Sequence, residues 1–197
     1  MPDARWSGGW SGGQRRLHWW TASLVGLGFV LGWVMVAVPL RALLVKFLLY
    51  QAHKTVGLLV LGLTLARLPV RLRLGRPVWD AALPPWQRHA AAGMHLALYL
   101  LLLVVPALGY LTAATAPAQV PTLFLGVIPV PHLVGSDPAW FTVLRPVHRA
   151  LAILLVALAT AHALAALANH LRGHLGLLAM WRGNQLSVIS CRSSDRD

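Results

Sequence analysis

The chain has 197 residues, 57% of them hydrophobic and only 11% charged, with a mean hydropathy of +0.65. Soluble domains carry about 25% charged residues, so this is the composition of a membrane protein. The net charge of +12 does not indicate nucleic acid as a partner, because the basic residues lie between long apolar runs rather than along one soluble face.

Residues 1–14 read MPDARWSGGWSGGQ, a repeat whose composition is that of a flexible N-terminal segment. The apolar run after Arg15 and Arg16 is too long for a cleavable signal peptide and has no small-residue cleavage site. It forms a first span at about 17–38, matching the ~20 residues that a bilayer needs, with Trp19 and Trp20 suited to the aromatic belt. A connection with Arg41 and Lys46 leads to a second span at 50–70, which Pro69 is expected to end. Residues 71–88 are a basic, proline-rich loop, and a third span covers 90–113, with Pro106 expected to kink it. Residues 114–145 form the longest loop, apolar and rich in proline, and should pack over the bundle. A fourth span runs over 146–170, and the polar tail 183–197 is expected to be disordered. The fold class expected is all-α, an integral membrane four-helix bundle of up-down topology, with residues 15–182 as its one domain.

Orientation follows from the lysines and arginines near the span ends. The N-terminus, the 71–88 loop and the C-terminus carry Arg15, Arg16, Arg71, Arg73, Arg76, Arg88, Arg172 and Arg182. The two opposite loops carry Arg41, Lys46, Arg145 and a few flanking charges. Both termini are therefore expected in the cytoplasm, for a bacterial inner membrane.

The fourth span holds His148 and His162, fourteen residues apart. At about 100° and 1.5 Å per residue, they face the same side to within roughly 40° and stand about 21 Å apart along the axis. Ionisable groups inside a span are costly and normally face the bundle interior, so the functional reading is the default. Imidazole suits haem iron, and one ring on each face of the macrocycle makes the iron six-coordinate. The chain's one cysteine, Cys191, lies in the tail, and no C-x-x-C-H occurs, so a haem here is held without a covalent link. Sorted by depth, His53 pairs with His148 on the outer side and His18 with His162 on the cytoplasmic side. His18 lies close to the water for that role, which calls for helix tilt or an early helix start. His95 shares the cytoplasmic depth and competes with it, the symmetry of the scheme favouring His18. An isolated histidine near a helix end is more often an interfacial residue, and that reading holds for His89, His132, His170 and His174. His95 and His170 stay candidates for contact with a quinone or a haem propionate.

Arg67 lies fourteen residues after His53, on the same helix face at the depth of the cytoplasmic pair. It suits either a haem propionate or an arginine that snorkels to the surface. Lys54 and Arg149 adjoin the outer ligands and could neutralise outer propionates. Gly57 lies one turn from His53, and Gly26, Gly28 and Gly32 line the first span, where small residues admit a helix or a flat macrocycle. All five acidic residues (Asp3, Asp80, Asp137, Asp195 and Asp197) fall outside the spans, which argues against a carboxylate proton relay or a cation transporter.

RLHWW at the first span, QAHKTVG at the second, RHAAAGMHLALYLLLLVVPALGYL at the third and RPVHRALAILLVALATAHALAALANH at the fourth resemble the bacterial cytochrome b561 family, as does the loop FLGVIPVPHLVG. The likeness covers about residues 14–182. It implies a four-helix inner-membrane protein with two b haems on His18, His53, His148 and His162, passing electrons to or from quinone. One member of that family is a superoxide:ubiquinone oxidoreductase. The chain departs from the family after span four, where a double histidine and an acidic residue are common. Here Asn169 precedes His170, and His174 follows.

The expected function is therefore that of a di-haem b-type cytochrome moving single electrons across the membrane, with quinone as partner. If it is an enzyme, it is a quinone-linked oxidoreductase, with superoxide as one candidate donor. Alternatively it is the haem-bearing anchor of a dehydrogenase or hydrogenase. In a different class, it is a haem-free membrane protein whose histidines bind zinc. Membrane lipid, a periplasmic electron donor or dehydrogenase subunit, and a second copy of the chain complete the expected partners.

Overall fold

The computed structural model describes residues 10–74, 84–173, 177, 180 and 181. Four helices are long and apolar enough to cross a membrane: α1 (Gly12–Ala37), α2 (Leu43–Leu74), α3 (Pro85–Thr115) and α4 (Pro138–Leu171). A single 3-10 turn, Leu40–Ala42, joins α1 to α2, and a two-stranded hairpin separates α3 from α4. The bundle is built from two antiparallel pairs, α1 with α2 and α3 with α4, joined through α2 against α3.

Every helix is longer than its apolar run implied, and the caps and prolines explain why. Within the glycine-rich N-terminal repeat, the Ser11 hydroxyl accepts from the Gln14 backbone while the Gln14 side chain accepts from the Ser11 N–H. This reciprocal capping box starts α1 at Gly12, five residues before the expected span, and supplies the early start that His18 requires. Lys46 closes the other end of α1 by donating to the carbonyls of Met35 and Val38. Pro69 does not end α2, which continues to Leu74 with the proline inside it. Pro106 lies within α3 and Pro146 within α4. Neighbouring helices re-satisfy the backbone groups that such prolines free inside a membrane. Asp137 caps α4, its carboxylate accepting from the N–H groups of Ala139 and Trp140. The flexible segment expected at 1–14 is thus helical from Gly12, and its first nine residues lie outside the described residues, as do 75–83 and the tail.

The interior is small. Val56, Val60, Leu101, Leu102, Val105 and Leu155 form its buried centre. Large apolar side chains such as Trp20, Leu27, Trp33, Leu65 and Leu100 are exposed, which in water would be a liability and in lipid is the outer face. Two buried helix threonines satisfy their hydroxyls by bonding backward, Thr21 to the Leu17 carbonyl and Thr64 to that of Val60.

The 114–145 loop does pack over the bundle, with a structure that its composition did not announce. Strands β1 (Thr122–Phe124) and β2 (Ile128–Val130) pair antiparallel, Phe124 opposite Ile128, across a turn with Leu125 and Gly126 at positive φ. Leucine in that region is strained by roughly 1–2 kcal/mol. The strain is held by α2, where the Thr55 hydroxyl accepts from the Leu125 N–H. The buried Gln51 side chain donates to the Pro121 carbonyl and accepts from the Leu123 N–H, and Lys54 donates to Val120 and Pro121. Residues 51, 54 and 55 share one face of α2, so one turn of helix fastens the whole hairpin.

Candidate functional site

The interior histidines come together as two facing pairs. His53 on α2 and His148 on α4 have ring centres 6.2 Å apart and ring planes at 82°. His18 on α1 and His162 on α4 have ring centres 6.4 Å apart at 68°. Two imidazoles on one metal, each with a bond of about 2 Å and a ring centre about 1.2 Å beyond the nitrogen, are separated by roughly 6.3 Å. Both pairs have that spacing, so the donor set fits one six-coordinate iron each. The fourteen-residue spacing on α4 puts the two levels about 21 Å apart along the helix.

The His53/His148 pair is held by backbone. His53 Nδ1 lies 2.9 Å from the Gly28 carbonyl on α1, and His148 Nδ1 lies 3.0 Å from the Val105 carbonyl on α3. A carbonyl can only accept, so each Nδ1 carries the proton and each Nε2 keeps its lone pair for a metal. One turn after each carbonyl stands a glycine. A Cβ on Gly32 would lie 3.1 Å from the His53 ring, and one on Gly109 would lie 2.9 Å from the His148 ring. The same device, a carbonyl followed four residues later by glycine, thus seats one ligand on α1 and the other on α3. At Gly57 and Gly26 a Cβ would meet nothing within 4 Å, so their role is not the seating of a ring.

The His18/His162 pair sits among charge. His95 on α3 brings its ring centre to 5.4 Å from that of His162. Arg67 acts electrostatically on His18, and its guanidinium lies over the Tyr99 ring at 5.4 Å, with that of Arg71 at 5.1 Å. Arg67 is half-buried, and its guanidinium makes a cation–π contact with the Tyr99 ring. Tyr99, one turn after His95, was not singled out in the sequence because its role depends on a contact between α2 and α3.

The other expected residues lie away from this centre. Lys54 is committed to the hairpin carbonyls, and Arg149 is exposed. His89 bonds the Pro85 carbonyl at the start of α3, and His170 lies in the last turn of α4. His132, just after β2, lies 3.2 Å from the Thr122 hydroxyl through Nε2, with its ring centre 6.4 Å from that of Tyr110. Burial, and secondarily the Lys54 ammonium, hold His132 below the ordinary imidazole range. His174 lies outside the described residues. Among the described residues no three histidine, cysteine or acidic side chains gather into a group able to hold a metal ion.

A family model described as prokaryotic cytochrome b561 matches residues 9–183. The chain is also similar to cytochrome b561 homolog 1 of Escherichia coli (strain K12). The two are 29% identical over 162 residues, covering 80% of this chain and 87% of that protein.

Proposed function

The chain belongs to the prokaryotic cytochrome b561 family, multi-pass membrane proteins that carry b-type haem and transfer electrons, and on that premise we propose that it holds two haems. His53 and His148 hold the outer one, and His18 and His162 hold the inner one. Each haem supplies a one-electron ferric/ferrous couple when bound. The observation that carries this reading is the matched ring-centre spacing, 6.2 and 6.4 Å, at two depths of one bundle. His95 is a neighbour of the inner site rather than a ligand, since 5.4 Å to His162 is too short for two rings on opposite faces of one iron.

The residues around each pair have separate tasks. Gly28 and Val105 orient the outer imidazoles through their carbonyls. Arg67 and Arg71, stacked on Tyr99, supply positive charge at the inner level, where a propionate is a suitable partner for Arg67. The hairpin, pinned by Gln51, Lys54 and Thr55, covers the outer end of α2 and limits access of water from that side. Quinone is the proposed electron partner, with both termini in the cytoplasm by the distribution of basic residues. A second redox partner, superoxide or a dehydrogenase subunit, meets the outer side. The experiment is a redox titration of single alanine variants. His53→Ala and His148→Ala should disturb one component, His18→Ala and His162→Ala the other, and His95→Ala neither. Loss of a haem in His95→Ala with retention in His18→Ala overturns the inner assignment.

A further inference from the structure

A cavity of about 380 Å³ opens beside the N-terminal end of α1, lined by Arg15, Arg16, Trp19, Trp20, Ser23 and Trp181, among others. None of the paired histidines lines it, although the Trp19 ring in its wall meets the His18 ring edge to face at 5.4 Å. Its walls are tied together: Arg15 donates through a terminal guanidinium nitrogen to the Trp181 carbonyl at 3.1 Å, and the Trp19 indole donates to the Met180 carbonyl at 3.3 Å. The Trp19 and Trp181 rings meet edge to face at 5.2 Å. Two guanidiniums therefore face one fixed aromatic recess.

Arg15 Nε is buried and has no hydrogen-bond partner among the described residues. A buried donor left unpaired is costly, more so on a charged group, so this atom requires an acceptor. Among the described residues the one carboxylate is Asp137, and it caps α4 at the opposite end of the bundle. The acceptor chemistry that suits two adjacent arginines is a phosphate oxyanion.

Below the cavity, α1 continues the recess as an apolar track. Trp20, Leu27, Val30 and Val34 are 64, 47, 56 and 39% exposed and, with Ser23 between the first two, follow one face at alternating spacings of three and four. Exposed tryptophans with arginines above and aliphatic side chains below match the order of headgroup, interface and acyl chain in a leaflet. A free phosphate ion would use the arginines and leave the track without a role.

We propose that this cavity binds the phosphate of an anionic phospholipid, with the lipid's acyl chain lying along the exposed face of α1. The haem assignment is not needed for this proposal. The test is native mass spectrometry of the holoprotein released from nanodiscs that contain equal amounts of phosphatidylglycerol and phosphatidylcholine. Retention of phosphatidylglycerol should exceed that of phosphatidylcholine, by about fivefold for each arginine engaged. Arg16→Gln, which alters an exposed side chain, should cut the preference about fivefold, and Arg15→Gln/Arg16→Gln should abolish it. An unchanged far-ultraviolet circular dichroism spectrum and thermal transition in each variant show that it has folded. Trp20→Phe should retain the preference, whereas Trp20→Glu should lose the bound lipid. Equal retention of the two lipids, a preference that survives the double substitution, or displacement of the lipid by millimolar inorganic phosphate overturns the proposal.

Discussion

Gly109→Ala tests the seating of the outer ligand pair. The new methyl would stand 2.9 Å from Cε1 of His148, 3.4 Å from Nδ1 and 3.6 Å from Nε2. Ordinary contacts begin near 3.4 Å, so either the imidazole or the helix must give by about half an ångström. The ring has little freedom, because its Nδ1–H is fixed at 3.0 Å on the Val105 carbonyl, one turn earlier on the same helix as the intruding methyl. Overpacking at a well-filled site costs about 1–3 kcal/mol, and loss of the hydrogen bond adds about 0.5–1.5 kcal/mol. If this cost falls on the bound form, affinity for the outer haem drops by roughly 10- to 1,000-fold at about 1.4 kcal/mol per tenfold, the lower part of that span matching the loss of a ligand's supporting hydrogen bond alone. The assay is haem titration of the apoprotein, followed by optical and magnetic spectra that distinguish low-spin, six-coordinate iron from high-spin iron. The expected result is a weakened or high-spin outer haem beside an unaltered inner one. Gly32→Ala, at 3.1 Å from His53, should act in the same direction less strongly. Two low-spin haems at full affinity in Gly109→Ala would refute the reasoning.

Two further outcomes follow from the same geometry. Arg67→Leu should lower the potential of the inner haem by tens of millivolts and leave the outer one nearly fixed, because a nearby cation favours the ferrous state, which carries one positive charge fewer; potentiometric titration above neutral pH checks it, and an unchanged pair of potentials contradicts it. His132 is held below its ordinary value in the fold, so its protonation favours the undocked hairpin: docking should be full above the usual imidazole pKa of about 6.5 and weaken as the pH falls below it. Hydrogen-exchange protection at residues 122–130, corrected for the intrinsic pH dependence of amide exchange, should therefore fall in acid in the native chain and not in His132→Gln, and an equal fall in both would remove His132 as the cause.

The membrane spans were legible because apolar runs between basic loops leave few alternatives for this composition. The histidine pairs were legible because fourteen residues is close to a whole number of helical turns, so spacing alone reports both face and depth. Helix ends were not, since they depend on capping. Ser11 and Gln14 carry the spacing of a capping box, yet they sit in a repeat whose composition points to flexibility. Pro69 is an ordinary breaker in water, but the cost of ending a helix inside a bilayer outweighs the hydrogen bond that proline removes. The hairpin was hidden because three-residue strands have too little pattern to register, though Gly126 marked the turn that joins them. The carbonyls of Gly28 and Val105, and the Tyr99 face under Arg67, belong to contacts between helices and leave no local trace in the chain.

The central claim is that two separate pairs of imidazoles each hold one iron. A pyridine haemochrome assay on the purified protein, set against protein concentration from amino-acid analysis, measures this directly. Two b haems per chain, both low-spin in the oxidised spectrum, are the expected result. A value of one or none would contradict it, and would mean that at least one of the 6.2 and 6.4 Å pairs is only a contact between neighbouring helices.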